Sequence, residues 1–231
     1  MITIAPFVPY RTAFLLETAE GMLAGVHIPA VPAPVPEETL ACLHPTERQV
    51  AETHRAYRQV QYVGGRLAVG LALRALGVPA GPVLSDRHGA PIVPDGTAGS
   101  ISHKRELAVA IARRGESGLG VDLEDTTRPR RGIEEEILCG DEMAALNNLG
   151  DEERWQQIIA RFSIKEALYK AIHPFVERHI GFREAAITLR PDGSAAVDLR
   201  FPEGARFVVD AHYQAFETWI LSVVTAKPKT P

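Results

Sequence analysis

Several segments of this chain have patterns of apolar residues that predict β-strands, and residues 119–123 alternate strictly with a period of two. The expected strands are residues 12–19, 22–28, 107–112, 119–123, 186–189, 195–201, 206–213 and 219–225. Glu20-Gly21 has the residue types of a tight turn, so the first two strands should form a hairpin.

Other segments repeat apolar residues at helical spacing. Residues 46–76 predict one long helix, and Thr46 and Gln49 have the spacing of a capping box at its start. A short helix is expected at residues 141–148, and a longer one at residues 151–172 with Asp151 as its cap.

The order of these elements predicts an α+β fold of two pseudo-symmetric lobes. Each lobe has a small, mostly antiparallel sheet packed on one long helix. We expect the lobes to comprise residues 1–115 and 116–231.

Composition narrows the class of protein. The chain has 231 residues and a net charge of −4, which argues against a dominant attraction to nucleic acid or to an anionic membrane. The most apolar stretch, residues 67–76, is too short to span a bilayer, and the first residues lack a secretory signal pattern. Cys42 and Cys139 form no CxxC motif, so we expect a cytoplasmic protein.

Asp122 and Glu124 are the first candidates for chemistry. On a strand their carboxylates share one face, about 6.6 Å apart at a rise of about 3.3 Å per residue. Two like charges at that range favour a cation between them, and a hard divalent cation prefers oxygen ligands. A strand with a solvated outer face has the same pattern, so both interpretations stay open.

Residues 161–171 add a third carboxylate and two lysines. Phe162, Glu166 and Lys170 are spaced by four and share a helix face, with Lys165 beside them. An ordinary salt bridge between neighbouring turns explains the same spacing.

Two further segments carry groups suited to phosphate. Residues 99–105 predict a loop just before an expected strand and combine small residues, hydroxyls, His103 and two cations, although a polar strand entry is the alternative. Gly64 and Gly65 each cost about 1 kcal/mol inside a helix, which favours close approach of another segment or a ligand. Arg66 would then offer its guanidinium to a phosphate, or else lie in solvent beside a helix contact.

Taken in order, four segments resemble the Sfp-type 4′-phosphopantetheinyl transferases: Gly65-Arg66 and residues 100–103, 120–124 and 162–170. The resemblance spans residues 58–170 and the strand at 182–189, and its last two motifs are the most specific. The phenylalanine at position 162 resembles the branch of the family that includes enterobactin synthetase component D. The other branch has tryptophan at this position.

The resemblance implies a 4′-phosphopantetheinyl transferase fold, with coenzyme A in the cleft between the lobes and the metal site in the C-terminal lobe. By the family pattern, Asp122, Glu124 and Glu166 bind Mg²⁺, which bridges to the pyrophosphate of coenzyme A. The implied cofactor-binding residues are Arg66 at the nucleotide, Ser102 and His103 at the 3′-phosphate, and Lys165 and Lys170 near the phosphates.

The implied reaction transfers the phosphopantetheine arm to a serine of an apo acyl or peptidyl carrier protein and releases 3′,5′-ADP. Asp122, Glu166 and Lys170 are the implied catalytic residues. Glu166 or a metal-held water takes the serine proton, and Lys170 stabilises the leaving phosphate. Ala90 stands where some relatives have a lysine, and Arg87 is a candidate replacement. A monomer would suffice for this reaction.

Three other functions fit parts of the pattern: a module that binds coenzyme A or another nucleotide without transfer, a Mg²⁺-dependent pyrophosphohydrolase, and a structural or interaction protein. Arg128, Arg130 and Arg131 follow the acidic strand and form either a docking patch for an acidic carrier protein or a solvated loop.

Overall fold

The structure is a computed structural model that describes residues 2–79, 81–130, 132–176 and 178–229. The chain divides into two compact units, Met1–Glu116 and Ser117–Pro231, one residue after the predicted boundary. Each unit has an antiparallel sheet packed on one long helix, which confirms the predicted α+β class.

The first unit contains a four-stranded sheet of order β1-β2-β6-β5 and a separate two-stranded sheet of β3 and β4. Its strands are β1 (Thr12–Glu17), β2 (Met22–His27), β3 (Leu84–Ser85), β4 (Pro91–Ile92), β5 (Thr97–Lys104) and β6 (Leu107–Arg114). Its helices are α1 (Glu37–Leu40), α2 (Pro45–Thr53) and α3 (Ala56–Ala75). The predicted hairpin at the start of the chain is confirmed as β1 and β2.

The helix predicted over residues 46–76 is wrong as a single element, because α2 and α3 are separate. The backbone at Arg55 is extended, with φ −126° and ψ 155°, and Ala56 has a φ of 51°. The apolar periodicity runs across this break because both helices bury apolar residues, so periodicity alone does not reveal it.

The start of α2 also differs from the prediction of a cap at Thr46. His44 is the cap: its Nδ1 accepts the Thr46 amide at 3.3 Å, and the Glu47 carboxylate accepts the His44 amide at 3.1 Å. Pro45 occupies the first helical position, where its fixed φ and missing N–H cost nothing, and this moves the start of the helix towards the N-terminus.

Gly64 and Gly65 let α3 approach the first sheet closely. A Cβ at Gly64 would collide with the side chain of Ile28, and one at Gly65 would lie 2.9 Å from Ile101 Cγ2. Packing against other segments of the chain therefore explains both glycines, and alanine at either position would push the helix away from the sheet.

The second unit contains a five-stranded sheet of order β7-β11-β10-β9-β8. Its strands are β7 (Gly118–Asp125), β8 (Ala185–Leu189), β9 (Ser194–Leu199), β10 (Phe207–Phe216) and β11 (Trp219–Pro228). Its helices are α4 (Ile133–Ile137), α5 (Gly140–Ala144) and α6 (Asp151–Val176), which continues past the predicted end at residue 172.

Helix α6 lies almost in backbone contact with β7. A Cβ at Gly118 would collide with the carbonyl oxygen of Ala171, and one at Gly120 with the carbonyl oxygen of Ala167. The strand thus has no side chain where the helix passes, and Ala167 and Ala171 of the helix carry only methyl groups there. Gly118 and Gly120 share a strand face with Asp122 and Glu124, so this contact brings α6 to the acidic face of β7.

Among the described residues, no helix is both long enough and apolar enough to cross a membrane.

The close contact predicts that Gly120→Ala will be severely destabilising, since neither the strand nor the Ala167 carbonyl can move without shifting a backbone. We expect a loss of about 3 kcal/mol or more in the free energy of unfolding, measured by denaturant titration. Gly140→Ala is the matched control, because a Cβ there meets nothing within 4 Å, and it should leave stability nearly unchanged. Equal stability of the two variants would contradict the contact.

Candidate active site

The acidic residues of β7 are buried rather than solvated. Asp122 is 4% exposed, Glu124 8% and Asp125 5%, and every residue of the strand is buried. The interpretation of this strand as having a solvated outer face is therefore wrong. Carboxylates buried to this extent usually have a positively charged partner, and on the face of Asp122 and Glu124 the structure supplies one.

Lys170 supplies part of that positive charge from α6. Its Nζ donates to Asp122 Oδ1 at 2.8 Å and to the Val121 carbonyl oxygen at 2.8 Å. Lys170 thus reaches a strand far away in the sequence. Its side chain is 28% exposed while that of Asp122 is 6% exposed, so the ammonium is the accessible end of the pair.

Glu166 lies one helical turn before Lys170 and is half-buried. Since Lys170 contacts Asp122, the helix face that carries Glu166 is the face beside the acidic end of β7. Asp122 and Glu124 of the strand and Glu166 of the helix each offer carboxylate oxygens and no other kind of ligand atom. This chemistry fits a hard divalent cation such as Mg²⁺.

Lys165 has a different environment from the one predicted. Its side chain is 2% exposed, and its Nζ donates to Glu142 Oε2 at 2.6 Å and to the Ile137 carbonyl oxygen at 2.7 Å. Burial lowers the pKa of Lys165, and the hydrogen bond to Glu142 opposes that effect. These contacts do not support the phosphate-binding role that the resemblance implies for Lys165.

Glu142 joins three elements of the second unit, and sequence reasoning missed it. Besides Lys165 of α6, its carboxylate accepts the Cys139 amide at 2.7 Å, which caps α5, and the Ile187 amide of β8 at 2.9 Å. The contact with Cys139 could have been predicted from the sequence. Glu142 is the third residue of α5, and a glutamate at that position often accepts the backbone N–H of the residue before the helix. Nothing in the neighbouring sequence predicts that Glu142 pairs with Lys165, because the two residues lie on different helices.

In the first unit, Ser102 and His103 lie within β5 rather than in a loop before a strand, so that prediction is wrong. They pair with Val109 and Ala108 of β6. Consecutive strand residues point to opposite faces, so one ligand cannot meet both side chains from the same side of the sheet. The sequence did not predict β5 because its small and polar residues have low strand propensity.

Arg66 is only 6% exposed, so its interpretation as a solvent-facing side chain is wrong. Its guanidinium lies 4.4 Å from the centre of the Tyr62 ring, and Nη2 donates to Ser85 Oγ at 2.7 Å. Within the described part of the chain, its buried Nε has no acceptor. Tyr62 precedes Arg66 by one helical turn, which is the signal that sequence reasoning overlooked.

Those of the remaining cationic candidates that the structure describes are exposed. Arg128 and Arg130 lie in an exposed loop after β7, and Arg131 falls outside the described residues. Arg87, the candidate replacement for a lysine at position 90, is exposed and donates to His88 at 2.7 Å.

The buried pair predicts a stability phenotype for Lys165. Lys165→Met or Glu142→Gln should each cost about 3–5 kcal/mol of unfolding free energy, since each leaves a buried partner unsatisfied. The double variant should lose less than the sum. Asp141 lies on α5 beside Glu142 and forms an exposed ion pair with Arg200. Asp141→Asn, which breaks this pair, should therefore cost under about 1 kcal/mol of unfolding free energy. If Lys165→Met instead unfolds like the wild type and binds coenzyme A more weakly, the structural role of Lys165 is contradicted. That result would support its role in binding phosphate.

Among curated proteins, this chain is similar to 4′-phosphopantetheinyl transferase Npt of Nocardia iowensis, with 34% identity over 69% of this chain and 72% of that protein. It is 30% identical to 4′-phosphopantetheinyl transferase Svp of Streptomyces mobaraensis over 68% of this chain and 65% of that protein. Enterobactin synthase component D of Salmonella typhi is 35% identical over 57% of this chain and 55% of that protein. The chain therefore spans about two thirds of the first two proteins.

Among solved structures, it is similar to a holo-(acyl-carrier-protein) synthase from Bacillus anthracis in complex with CoA (3′,5′-ADP). The TM-score is 0.42 and the identity 17%, over 48% of this chain and 96% of that chain. The family model described as the 4′-phosphopantetheinyl transferase N-terminal domain matches residues 46–113, and the one described as the 4′-phosphopantetheinyl transferase superfamily matches residues 118–224. The resemblance read from the motifs is confirmed, and the chain belongs to the 4′-phosphopantetheinyl transferase family.

Proposed function

We propose that this protein transfers the 4′-phosphopantetheine arm of coenzyme A to a serine of an apo acyl or peptidyl carrier protein and releases 3′,5′-ADP. The observation that carries the proposal is the buried acidic face of β7. This face packs against α6, and the Lys170 ammonium of α6 donates to the Asp122 carboxylate. The names of the most similar relatives, which are 4′-phosphopantetheinyl transferases, support the same reaction.

Asp122, Glu124 and Glu166 are the residues proposed to hold Mg²⁺. When bound, Mg²⁺ supplies positive charge that offsets the charge on the pyrophosphate of coenzyme A during phosphoryl transfer. Burial of Asp122 and Glu124 keeps water from competing for their oxygens. The buried carboxylates therefore support metal-assisted transfer over a purely structural role for this strand.

Glu166 and Lys170 are proposed to act on the reacting groups. Glu166 is half-buried, so its carboxylate is open enough to accept the proton of the carrier serine, directly or through a water. In this proposal the partly exposed Lys170 ammonium, held by Asp122 and the Val121 carbonyl, stabilises a phosphate oxygen as the leaving group departs. Fixing it in advance reduces the reorganisation needed during the reaction.

Arg66, Ser102 and His103 are proposed to bind the nucleotide portion of coenzyme A. The buried Nε of Arg66, which lacks an acceptor among the described residues, suits an anionic ligand. Because Ser102 and His103 point to opposite faces of β5, we propose that one contacts the ligand by its side chain and the other by its backbone. The predicted location of coenzyme A between the lobes stays a prediction.

The exposed cations Arg128 and Arg130 are proposed to attract the carrier protein, since such carriers are typically acidic and charge complementarity speeds association. We further propose that the protein acts as a cytoplasmic monomer. Size-exclusion chromatography with light scattering tests the monomer.

The proposed transfer predicts a mass gain of one phosphopantetheine on an apo carrier protein incubated with this protein, coenzyme A and Mg²⁺. Intact mass spectrometry should show the gain, and EDTA should abolish it. Transfer should slow at least about 100-fold in each of three variants that remain folded: Asp122→Asn, Glu166→Gln and Lys170→Met. Each variant lacks a charged side chain that is proposed to act on the reacting phosphates or on the metal. Glu116→Gln, at an exposed carboxylate, is the control and should transfer normally.

Other outcomes separate the alternatives. Release of phosphopantetheine from coenzyme A without a carrier would show a pyrophosphohydrolase. Coenzyme A binding by calorimetry without any mass gain, across acyl and peptidyl carriers, would show a binding module. Normal transfer by both carboxylate variants would remove Asp122 and Glu166 from the site.

A further inference from the structure

Two serine hydroxyls are buried in the contact between α6 and its sheet. Ser163 of α6 and Ser222 of β11 are both 0% exposed. Neither Oγ has a hydrogen-bond partner among the residues that the structure describes. A helical serine usually satisfies its hydroxyl on the carbonyl one turn earlier, which Ser163 does not do.

Ser222 lies directly beside Asp122. Strands β11 and β7 are antiparallel, and their register pairs Ser222 with Asp122. Directly opposed residues share a sheet face, with Cβ atoms about 4.5–5.5 Å apart. The neighbours of Ser222 on this face of β11 are the apolar residues Ile220 and Val224, so the hydroxyl is the polar exception at the level of Asp122.

The register of α6 on β7 is fixed at two separated points. Near one end of the contact, the Trp155 indole N–H donates to the Thr126 carbonyl oxygen at 2.7 Å. Further along, Gly120 lies against the carbonyl of Ala167. Between these points the helix rises about 18 Å and the strand about 20 Å, so four helix residues accompany every two strand residues.

This register places Ser163 at the level of Asp122. Interpolation between the two fixed points pairs residue 163 of the helix with residue 122 of the strand. Ser163 and Ser222 therefore both lie at the level of Asp122, one on the helix that packs against this face and the other on the next strand.

Two buried hydroxyls without partners reduce stability, and alanine would fill nearly the same space without that cost. Costs of this kind persist where the polar group gains a partner during function. Mg²⁺ keeps several of its water ligands when proteins bind it, and a buried site must supply hydrogen-bond partners for those waters. Ser163 and Ser222 can supply them at the position of Asp122.

We propose that Ser163 and Ser222 are positioning residues of the metal site, whose hydroxyls hydrogen-bond to water ligands of the cation bound by Asp122. The inference rests on the proposed function, because it assumes a metal held by the acidic face of β7. It adds two residues of the second unit that the family motifs, as read from the sequence, did not assign to the metal.

Ser163→Ala and Ser222→Ala test the proposal through two measurements that do not need catalysis. Binding of Mn²⁺, followed by electron paramagnetic resonance with Mg²⁺ as competitor, should weaken about 10-fold in each variant. The midpoint of thermal unfolding in the absence of metal should stay equal to that of the wild type or rise, since a buried group without a partner has been removed.

Thr225→Val is the matched control. Thr225 is a buried hydroxyl residue on the same strand β11, but it pairs with Leu119 and so lies on the face away from Asp122. This variant should bind Mn²⁺ as the wild type does.

Wild-type Mn²⁺ affinity in both serine variants would overturn the proposal. So would a weaker affinity accompanied by a lower unfolding midpoint, because that result is the signature of a purely structural role. A wild-type protein that binds Mn²⁺ but transfers nothing to any carrier would refute the proposed function and leave this inference standing.

Discussion

The near-contact of α6 with β7 is the constraint on which the rest of the second unit depends. Two glycines on the strand and two alanines on the helix remove every side chain that would separate the backbones. Lys170, which lies between the two alanines, can then reach the strand, and its ammonium donates to the buried carboxylate of Asp122. With larger residues at Gly118 or Gly120, the helix would retreat and the acidic face would lose its positive partner.

Neighbouring turns of the same helix carry two lysines with opposite uses. Lys170 forms a pair whose ammonium stays partly open to solvent, so it remains available to an incoming anion. Lys165 forms a pair that is closed on both sides and anchors α6 to α5 and β8 through Glu142. The closed pair fixes the rotation of the helix, and that rotation determines where Glu166 and Lys170 point. The packing of α6 and its proposed chemistry thus depend on two different ion pairs of the same helix.

Local periodicity was sufficient to predict β7, α6 and the shared face of Asp122 and Glu124, because alternation and helical spacing are properties of neighbouring residues. The motif order was sufficient to predict the family. The partner of Lys165 could not be predicted, since Glu142 lies on another element and only folding brings them together. β5 was missed because its serines and glycine have low strand propensity, and the strand is stabilised by its pairing with β6 instead.

The register between α6 and β7 also bears on how this protein tolerates changes in chain length. One residue added within residues 155–171 would rotate everything beyond it by about 100° around the helix axis, while one added within residues 118–126 would turn the following side chains to the other face of the sheet. Either insertion separates the carboxylates from Lys170 even if every functional residue is kept. The exposed loop after β7 carries no such restriction, so variation in length should accumulate there and not in the two facing segments.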